Sequence, residues 1–358
     1  MSKWNFCAGP AVISAEVLSE VRSELSDYKN SGMSIMEMSH RSETYSNIAY
    51  EAKQDLIEIL NIPKNYDVLF LQGGATHQFS MIPMNFKNLT GAADYITTGA
   101  WTKKAFIEGS KIMNLKNIYS SEDNNFTSAP NIENLDLSKD ASYVHYCPNE
   151  TIHGNAIHEI PNINKPLVAD MSSSILSKPI DVKNFSLIYA GAQKNIGPAG
   201  LTLVIIDKDF MHAGNQDLPN ILKYSEHAKS DSMLNTPPTF SWYVASRVFK
   251  WIKKMGGLDY FKEQNELKAS KLYKFIDDSH FYSNPVEIDN RSIMNIPFTL
   301  GDGKLESTFL SLSEENGLLN LKGHRSVGGM RASIYNAMPL EGVEELIKFM
   351  DYFEQKYG

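Results

Sequence analysis

The chain has 358 residues, of which 42% are hydrophobic and 21% charged, and its formal net charge is −8. This length predicts about two domains, and the composition excludes a collagen-like or low-complexity chain. The acidic balance argues against general nucleic-acid binding, and two cysteines are too few for a disulfide framework.

The first part of the chain alternates helical patterns with short apolar runs. Helices are predicted over residues 14–28 and 43–60, and Ser14 can cap the first. That helix has apolar residues at helical spacing, namely Val17, Leu18, Val21, Leu25 and Tyr28. Buried strands are predicted over residues 67–71, 94–97, 143–147, 166–169, 187–190 and 201–206. Uninterrupted apolar strands with helices between them predict an α/β domain with a mostly parallel sheet.

The pattern changes after about residue 235. Two long helices are predicted over residues 241–254 and 258–277. Short strands (292–300 and 331–336) then alternate with helices (307–316 and 340–357). We therefore expect a large domain of residues 16–257 and a smaller C-terminal α/β domain of residues 258–358. An N-terminal segment, residues 1–15, is expected to pack on the small domain.

The chain has only six arginines, and their placement is informative. Two follow a histidine directly, in His40-Arg41 and His324-Arg325, and Arg331 follows the second pair by six residues. Arginine offers carboxylates and phosphates a rigid bidentate fork that lysine cannot replace. The number and placement of these arginines fit anion binding, and they fit surface salt bridges equally well.

A glycine turn, residues 72–77, follows the predicted strand 67–71 and opens a helix. Free N–H groups at a helix N-terminus suit a phosphate. The turn lacks both the GxGxxG fingerprint and the lysine of a P-loop, which disfavours NAD and ATP. Taken alone, it could equally be an ordinary strand-to-helix turn.

Two polar residues end successive predicted strands. Asp170 follows one apolar run, and Lys194 follows the next, among small residues. Each has a simpler interpretation, a helix cap for Asp170 and a surface lysine for Lys194. Together with a phosphate turn, they supply the set that pyridoxal phosphate needs: an anchor, a Schiff-base lysine and an acid for the ring nitrogen.

The chain resembles class V aminotransferases of fold type I, in particular the phosphoserine aminotransferase family, nearly end to end. Specific strings carry this resemblance: residues 5–11, 38–41, 73–79, 99–101, 149–154, 170–173, 191–195, 235–239 and 323–333. The segment around Lys194 and the string from Gly323 to Ser333 are the most specific. Ser174, where many relatives have an acid, and His77 are small departures.

The resemblance implies a role for each matching residue. Lys194 would form the Schiff base and move the substrate proton, and Asp170 would pair with the ring nitrogen. The expected cofactor contacts are Ala75, Thr76, Trp101, Thr151, Gln193, Asn235 and Thr236, the last two reaching the neighbouring subunit of a homodimer. Arg331 would bind the substrate α-carboxylate. The distal anion would be held by His40, Arg41, His324 and Arg325.

The implied reaction is amino transfer from glutamate to 3-phosphohydroxypyruvate in serine biosynthesis, with a phosphorylated hydroxythreonine of pyridoxine synthesis as a further substrate. The nearest alternative is a serine–pyruvate or alanine–glyoxylate aminotransferase, whose substrates lack the distal anion. A cysteine desulfurase would need a cysteine in a late loop. A non-catalytic cofactor-binding module would not need Lys194 together with Arg331. A nicotinamide dehydrogenase would need the missing fingerprint.

The remaining candidates are interpreted as structural. Met33, Met36 and Met38 suggest packing, and the histidine spacings predict no catalytic metal. Cys7 and Cys147 are expected to be inert small hydrophobes. The opening residues lack the apolar core of a signal peptide, which favours a cytoplasmic protein.

Overall fold

A computed structural model describes residues 3–358. Its helices are α1 (Ala15–Glu24), α2 (Glu43–Leu60), α3 (Gly74–Thr90), α4 (Ala100–Gly109), α5 (Lys208–His212), α6 (Tyr224–Lys229), α7 (Thr239–Met255), α8 (Gly257–Asp278), α9 (Glu306–Glu315) and α10 (Leu340–Tyr357). The first strands are β1 (Trp4–Asn5), β2 (Tyr66–Leu71), β3 (Ala92–Thr97), β4 (Asn114–Ser120), β5 (Ala141–Tyr146), β6 (Asn149–Glu150) and β7 (Asn155–Ala156). The later strands are β8 (Leu167–Asp170), β9 (Leu187–Gly191), β10 (Thr202–Asp207), β11 (Tyr282–Ser283), β12 (Asn295–Leu300), β13 (Leu318–Leu319) and β14 (Met330–Ser333).

A seven-stranded sheet with the order β2-β10-β9-β8-β5-β3-β4 forms the centre of the molecule. β10 is antiparallel to both of its neighbours, and the other adjacent strands pair in parallel. The expectation of a mostly parallel sheet is therefore confirmed. The apolar run of β10 did not reveal its direction, because a strand buried on both faces has the same pattern in either direction.

Several details of the sequence prediction were wrong. Helix α1 ends at Glu24, its Ser14 makes no side-chain capping bond, and Leu18 from the predicted apolar stripe is 50% exposed. The edge strand β4 was missed. Its residues are mostly exposed or half-buried, since an edge strand buries little side-chain area, so no continuous apolar run marks it.

Helices cover both faces of the sheet. One face packs against α2 and α7, in a core that includes Leu56, Phe70 and Trp242. The other face packs against α3 and α4, around Phe86 and Tyr143. Six of the strands run in one direction, so their carboxyl ends meet at one edge of the sheet. That edge is where ligands bind in open α/β folds.

A separate apolar cluster forms in the C-terminal third, around the three-stranded sheet β11-β12-β14. Phe6 belongs to this cluster, and β1 pairs in parallel with β13. We propose that the cluster is the core of a small domain, residues 258–358. Helix α8 joins the two parts, since Phe261 packs in the large core and Leu272 in the small one. Met1 and Ser2 of the predicted N-terminal segment lie outside the described residues.

Replacing Phe309 tests the contribution of this cluster. Its ring is fully buried, and Phe349 and Phe353 pack against it with ring centroids 5.1 and 5.0 Å away. Phe309→Ala should lower the free energy of unfolding by about 3–5 kcal/mol, measured by urea denaturation. Ile288→Ala is the control, because Ile288 is 75% exposed. Equal unfolding midpoints for the two variants would contradict the assignment of Phe309 to the core.

Candidate active site

A glycine turn connects β2 to helix α3 at the carboxyl edge of the sheet. Gly73 and Gly74 have φ angles of 94° and 68°, in the left-handed region. A Cβ on Gly73 would lie 2.5 Å from Nδ1 of His77, so the turn requires glycine there. Ala75 and Thr76 follow in the first turn of α3 and line a cavity. Their backbone N–H groups have no partner within the helix and suit a phosphate.

Lys194 lies in the same cavity, just after β9. Its Nζ donates a hydrogen bond to Oγ1 of Thr151, at 2.5 Å. Loss of solvation lowers the pKa of the Lys194 amine, although the charges of Asp170 and Glu150 raise it. A lysine with a lowered pKa is available as a neutral nucleophile.

Asp170 ends β8 and is 5% exposed. Its Oδ1 accepts hydrogen bonds from the backbone N–H of Ser172 at 2.9 Å and from the Ser172 hydroxyl at 2.6 Å. Burial raises the pKa of the Asp170 carboxyl, while the Ser172 bonds and the Lys194 charge lower it. Both bonds engage Oδ1, which fixes the carboxylate and leaves Oδ2 for another donor. Such a group stabilises a protonated ring nitrogen placed against it.

Arg331 on β14 brings a cation to the cavity from the C-terminal part of the chain. Its Nη1 donates to the carbonyl oxygen of Thr151 at 3.2 Å, and its buried Nε has no hydrogen-bond partner. Within residues 3–358, no carboxylate forms an ion pair with Arg331. Burial is the main cause that lowers the pKa of this guanidinium. A half-buried guanidinium that faces a cavity and has no carboxylate partner is suited to bind an anion.

The cavity has a volume of about 290 Å³. Nine of the residues singled out in the sequence line it: Ala75, Thr76, Trp101, Thr151, Asp170, Gln193, Lys194, His324 and Arg331. Residues from two distant parts of the chain thus converge on one space.

Nδ1 of His324 lies 2.7 Å from the Ser326 hydroxyl, and burial, Arg331 and Arg325 lower the pKa of its imidazole. The ring is therefore neutral near pH 7.

Five predicted site residues do not line this cavity. They are His40, Arg41, Asn235, Thr236 and Arg325. All of them except the half-buried His40 are exposed. Thr236 lies next to the glycine turn, since its carbonyl oxygen accepts a hydrogen bond from Nε2 of Gln72 at 2.7 Å. The structure therefore does not bring these five residues to the cavity of their own chain.

Several lining residues were not assigned by the sequence analysis. Ala8 and Gly9 come from the N-terminal segment, and Ser172 and Ser173 follow Asp170. Only the strings of the family resemblance marked them, without a role. Cys147 was expected to be inert and lies on the cavity wall. Burial raises the pKa of its thiol, which keeps it protonated and unreactive.

Comparisons with known proteins agree with this geometry. The family model described as "Aminotransferase class-V" matches residues 3–346. The chain is 54% identical to the phosphoserine aminotransferase of Acinetobacter baylyi and covers 100% of both chains. It is 53% identical to that of Hahella chejuensis over 98% of both. The solved phosphoserine aminotransferase of Bacillus circulans subsp. alkalophilus superimposes with a TM-score of 0.97, at 46% identity over 99% of both chains.

A second solved structure is the phosphoserine aminotransferase of Trichomonas vaginalis with pyridoxal phosphate bound. It has a TM-score of 0.93 and 39% identity, over 98% of this chain and 99% of that one. The fold and the lysine-containing cavity therefore define a class V aminotransferase of fold type I, which uses pyridoxal phosphate. Within that class, the chain belongs to the phosphoserine aminotransferase family.

The residues of the cavity fit the cofactor. The glycine turn offers N–H donors for the phosphate, Lys194 offers an amine whose pKa is lowered by burial, and Asp170 has an oxygen available for the ring nitrogen. A Cβ on Gly9 would lie 3.3 Å from Cγ of Gln193, so glycine leaves room beside the lysine.

Among residues 3–358 there is no group of three or more His, Cys, Asp or Glu that could hold a metal ion. No helix in that range is long and apolar enough to cross a membrane.

Borohydride trapping tests the role of Lys194. Reducing the protein in the presence of pyridoxal phosphate should attach one cofactor per wild-type chain, because the neutral Lys194 amine reacts with the aldehyde. Lys194→Ala should give no specific attachment, as measured by mass spectrometry of the protein and its peptides. Lys178→Ala is the control: burial also lowers the pKa of Lys178, but it lies outside this cavity. Full attachment to Lys194→Ala would contradict the assignment.

Proposed function

We propose that the enzyme transfers the amino group of L-glutamate to 3-phosphohydroxypyruvate, giving O-phospho-L-serine and 2-oxoglutarate. The reaction is reversible, runs in two half-reactions and belongs to serine biosynthesis. The observation that carries the proposal is the half-buried guanidinium of Arg331, which has no carboxylate partner and shares one cavity with Lys194 and Asp170. Relatives at 49–54% identity over nearly the full chain, all named phosphoserine aminotransferase, support the same substrate.

The proposed roles follow from the charges and contacts of the cavity. Pyridoxal phosphate, when bound, supplies an aldehyde that condenses with amines and a ring that withdraws electrons from the substrate Cα. The neutral Nζ of Lys194 removes the proton from Cα and returns it during the transfer. The Asp170 carboxylate keeps the ring nitrogen protonated. Arg331 binds the α-carboxylate that every amino- and keto-acid substrate carries.

The remaining cofactor contacts surround the ring. Trp101 offers an aromatic face for stacking, and the Thr151 hydroxyl, already bonded to Lys194, reaches the 3-oxygen. Ala75, Thr76 and Gln193 bind the cofactor phosphate. These assignments rest on the shared cavity and on the matching family strings.

The distal phosphate of the substrate needs further cations and hydrogen-bond donors. We assign it to His324 and Arg325 together with His40 and Arg41, in a homodimer whose copies share their sites. Asn235 and Thr236 then reach the cofactor phosphate of the other copy. Their position outside the cavity of their own chain supports this arrangement. Met33 and Met36, 40% and 58% exposed, precede His40 and provide apolar area for a second copy to cover.

We also propose a cytoplasmic location. The two cysteines are free, and the substrates belong to central amino-acid metabolism. A reducing compartment is the simplest setting for a chain that has no disulfide among its described residues.

The visible spectrum of the protein loaded with pyridoxal phosphate tests the proposed substrate. Adding O-phosphoserine should bleach the yellow band of the bound cofactor, because the amino group moves to it. Alanine at the same concentration should have little effect, since it lacks the distal anion. Bleaching by alanine or serine but not by O-phosphoserine would instead assign the small substrates of other class V aminotransferases.

Two arginine variants separate the proposed anion sites. Arg331→Ala should lower kcat/KM at least about tenfold for every substrate, because a charged hydrogen bond to the shared α-carboxylate is lost. Arg41→Ala should lower kcat/KM for phosphoserine far more than kcat/KM for alanine. Arg22→Ala, which removes an exposed arginine on α1, is the control and should match the wild type. Equal losses of kcat/KM for the two substrates in Arg41→Ala would contradict the assignment of Arg41 to the distal anion.

A further inference from the structure

Glu150 is a fully buried acid to which neither the sequence nor the proposed chemistry gives a role. Its carboxylate accepts hydrogen bonds from the backbone N–H groups of Trp101 and Thr102, at 3.1 and 2.8 Å. The Thr102 hydroxyl donates a third bond at 2.7 Å. Three donors compensate a charge whose burial would otherwise be costly.

These bonds satisfy the N-terminus of helix α4. The capping position is Gly99, which has no side chain to accept the free N–H groups of the first turn. A Cβ on Gly99 would lie 2.3 Å from Cδ of Glu150. Because Gly99 has no side chain, the Glu150 carboxylate fits against the N-terminus of α4. An acid from a distant part of the chain therefore replaces the usual local cap. The negative charge also lies at the positive end of the helix dipole.

The placement of this cap links two parts of the active site. Trp101 is the second residue of α4, while Glu150 directly precedes Thr151 in the chain. The Thr151 side chain accepts the Lys194 bond, and its carbonyl accepts the Arg331 bond. Glu150 thus joins the helix that carries the indole to the segment that holds the lysine and the arginine.

We propose that Glu150 is a positioning residue, which holds the Trp101 indole at a fixed place relative to Lys194 through the N-terminus of α4. This inference rests on the proposed cofactor site, in which Trp101 stacks on the ring. A local cap on α4 would stabilise the helix equally well but would not set its distance from Thr151. Glu150 touches neither cofactor nor substrate in this scheme, and its effect reaches both through Trp101.

Glu150→Gln tests the proposal. The amide has one acceptor oxygen and presents N–H groups to the N–H groups of Trp101 and Thr102. We expect pyridoxal phosphate to leave the loaded variant about tenfold faster than the wild type on dilution. The visible circular dichroism of the bound cofactor should also be weaker, because its stacking partner has moved. Neither readout requires turnover.

Asp207→Asn is the matched control. Asp207 caps α5 by accepting bonds from the N–H groups of Asp209 and Phe210, at 3.0 and 3.1 Å, and it lies outside the cavity. Both variants should lower the melting temperature, but only Glu150→Gln should change cofactor release and dichroism. If Glu150→Gln destabilises the protein and leaves both cofactor readouts at wild-type values, Glu150 is a structural cap only and the proposal is overturned.

A second pair of variants, at Thr102, tests the proposal if Glu150→Gln does not fold. Thr102→Val removes the hydroxyl bond to the carboxylate, together with the bonds that this hydroxyl accepts from the N–H groups of Thr98 and Gly99. Thr102→Ser keeps all of these bonds. Thr102→Val should release the cofactor about threefold faster, and Thr102→Ser should match the wild type. Unchanged release in Thr102→Val would then overturn the proposal. A wild-type protein that shows no cofactor band would be a different result, the failure of the proposed site itself.

Discussion

The lowered pKa of one buried amine, that of Lys194, is the constraint on which the rest of the active site depends. Lys194 faces the charges of Asp170 and Glu150, and each of them favours its protonated form. The loss of solvation acts in the opposite direction and is the larger effect, so the pKa of the amine is lowered. The site must therefore keep water away from Lys194 while satisfying each nearby carboxylate with other donors. Ser172 does so for Asp170, and the N-terminus of α4 does so for Glu150.

Three consecutive residues connect the separate parts of this site. The Asn149 amide donates to the Ser173 hydroxyl and to Oδ1 of Asn295, which links the segment after Asp170 to strand β12. Glu150 holds the helix of Trp101, and Thr151 bonds both Lys194 and Arg331. A short segment beyond β5 thus sets the distances between Trp101, Lys194 and Arg331. Preorganisation of this kind is what catalysis by positioning requires.

The α-carboxylate and the distal anion of the proposed substrate are assigned to different kinds of site. Arg331 is half-buried and already aligned by the Thr151 carbonyl, which suits the α-carboxylate common to all substrates. The groups assigned to the distal anion are more exposed, and several lie outside the cavity of their own chain. The proposed pocket, completed by a second copy, would offer arginine and histidine side chains to a phosphate in one half-reaction and to a carboxylate in the other.

The sequence by itself determined the α/β class and the positions of most elements, and it pointed to Lys194, Asp170 and Arg331, which the structure brings to one cavity. Those features are local: apolar runs define strands, and residues that end parallel strands meet at one edge of the sheet. The reversed direction of β10, the edge strand β4 and the cap by Glu150 were decided only in the tertiary structure. Pairing partners and the burial of a charge depend on residues distant in the chain. Glu150 and Thr102 are 48 positions apart, and no local pattern could indicate that they meet.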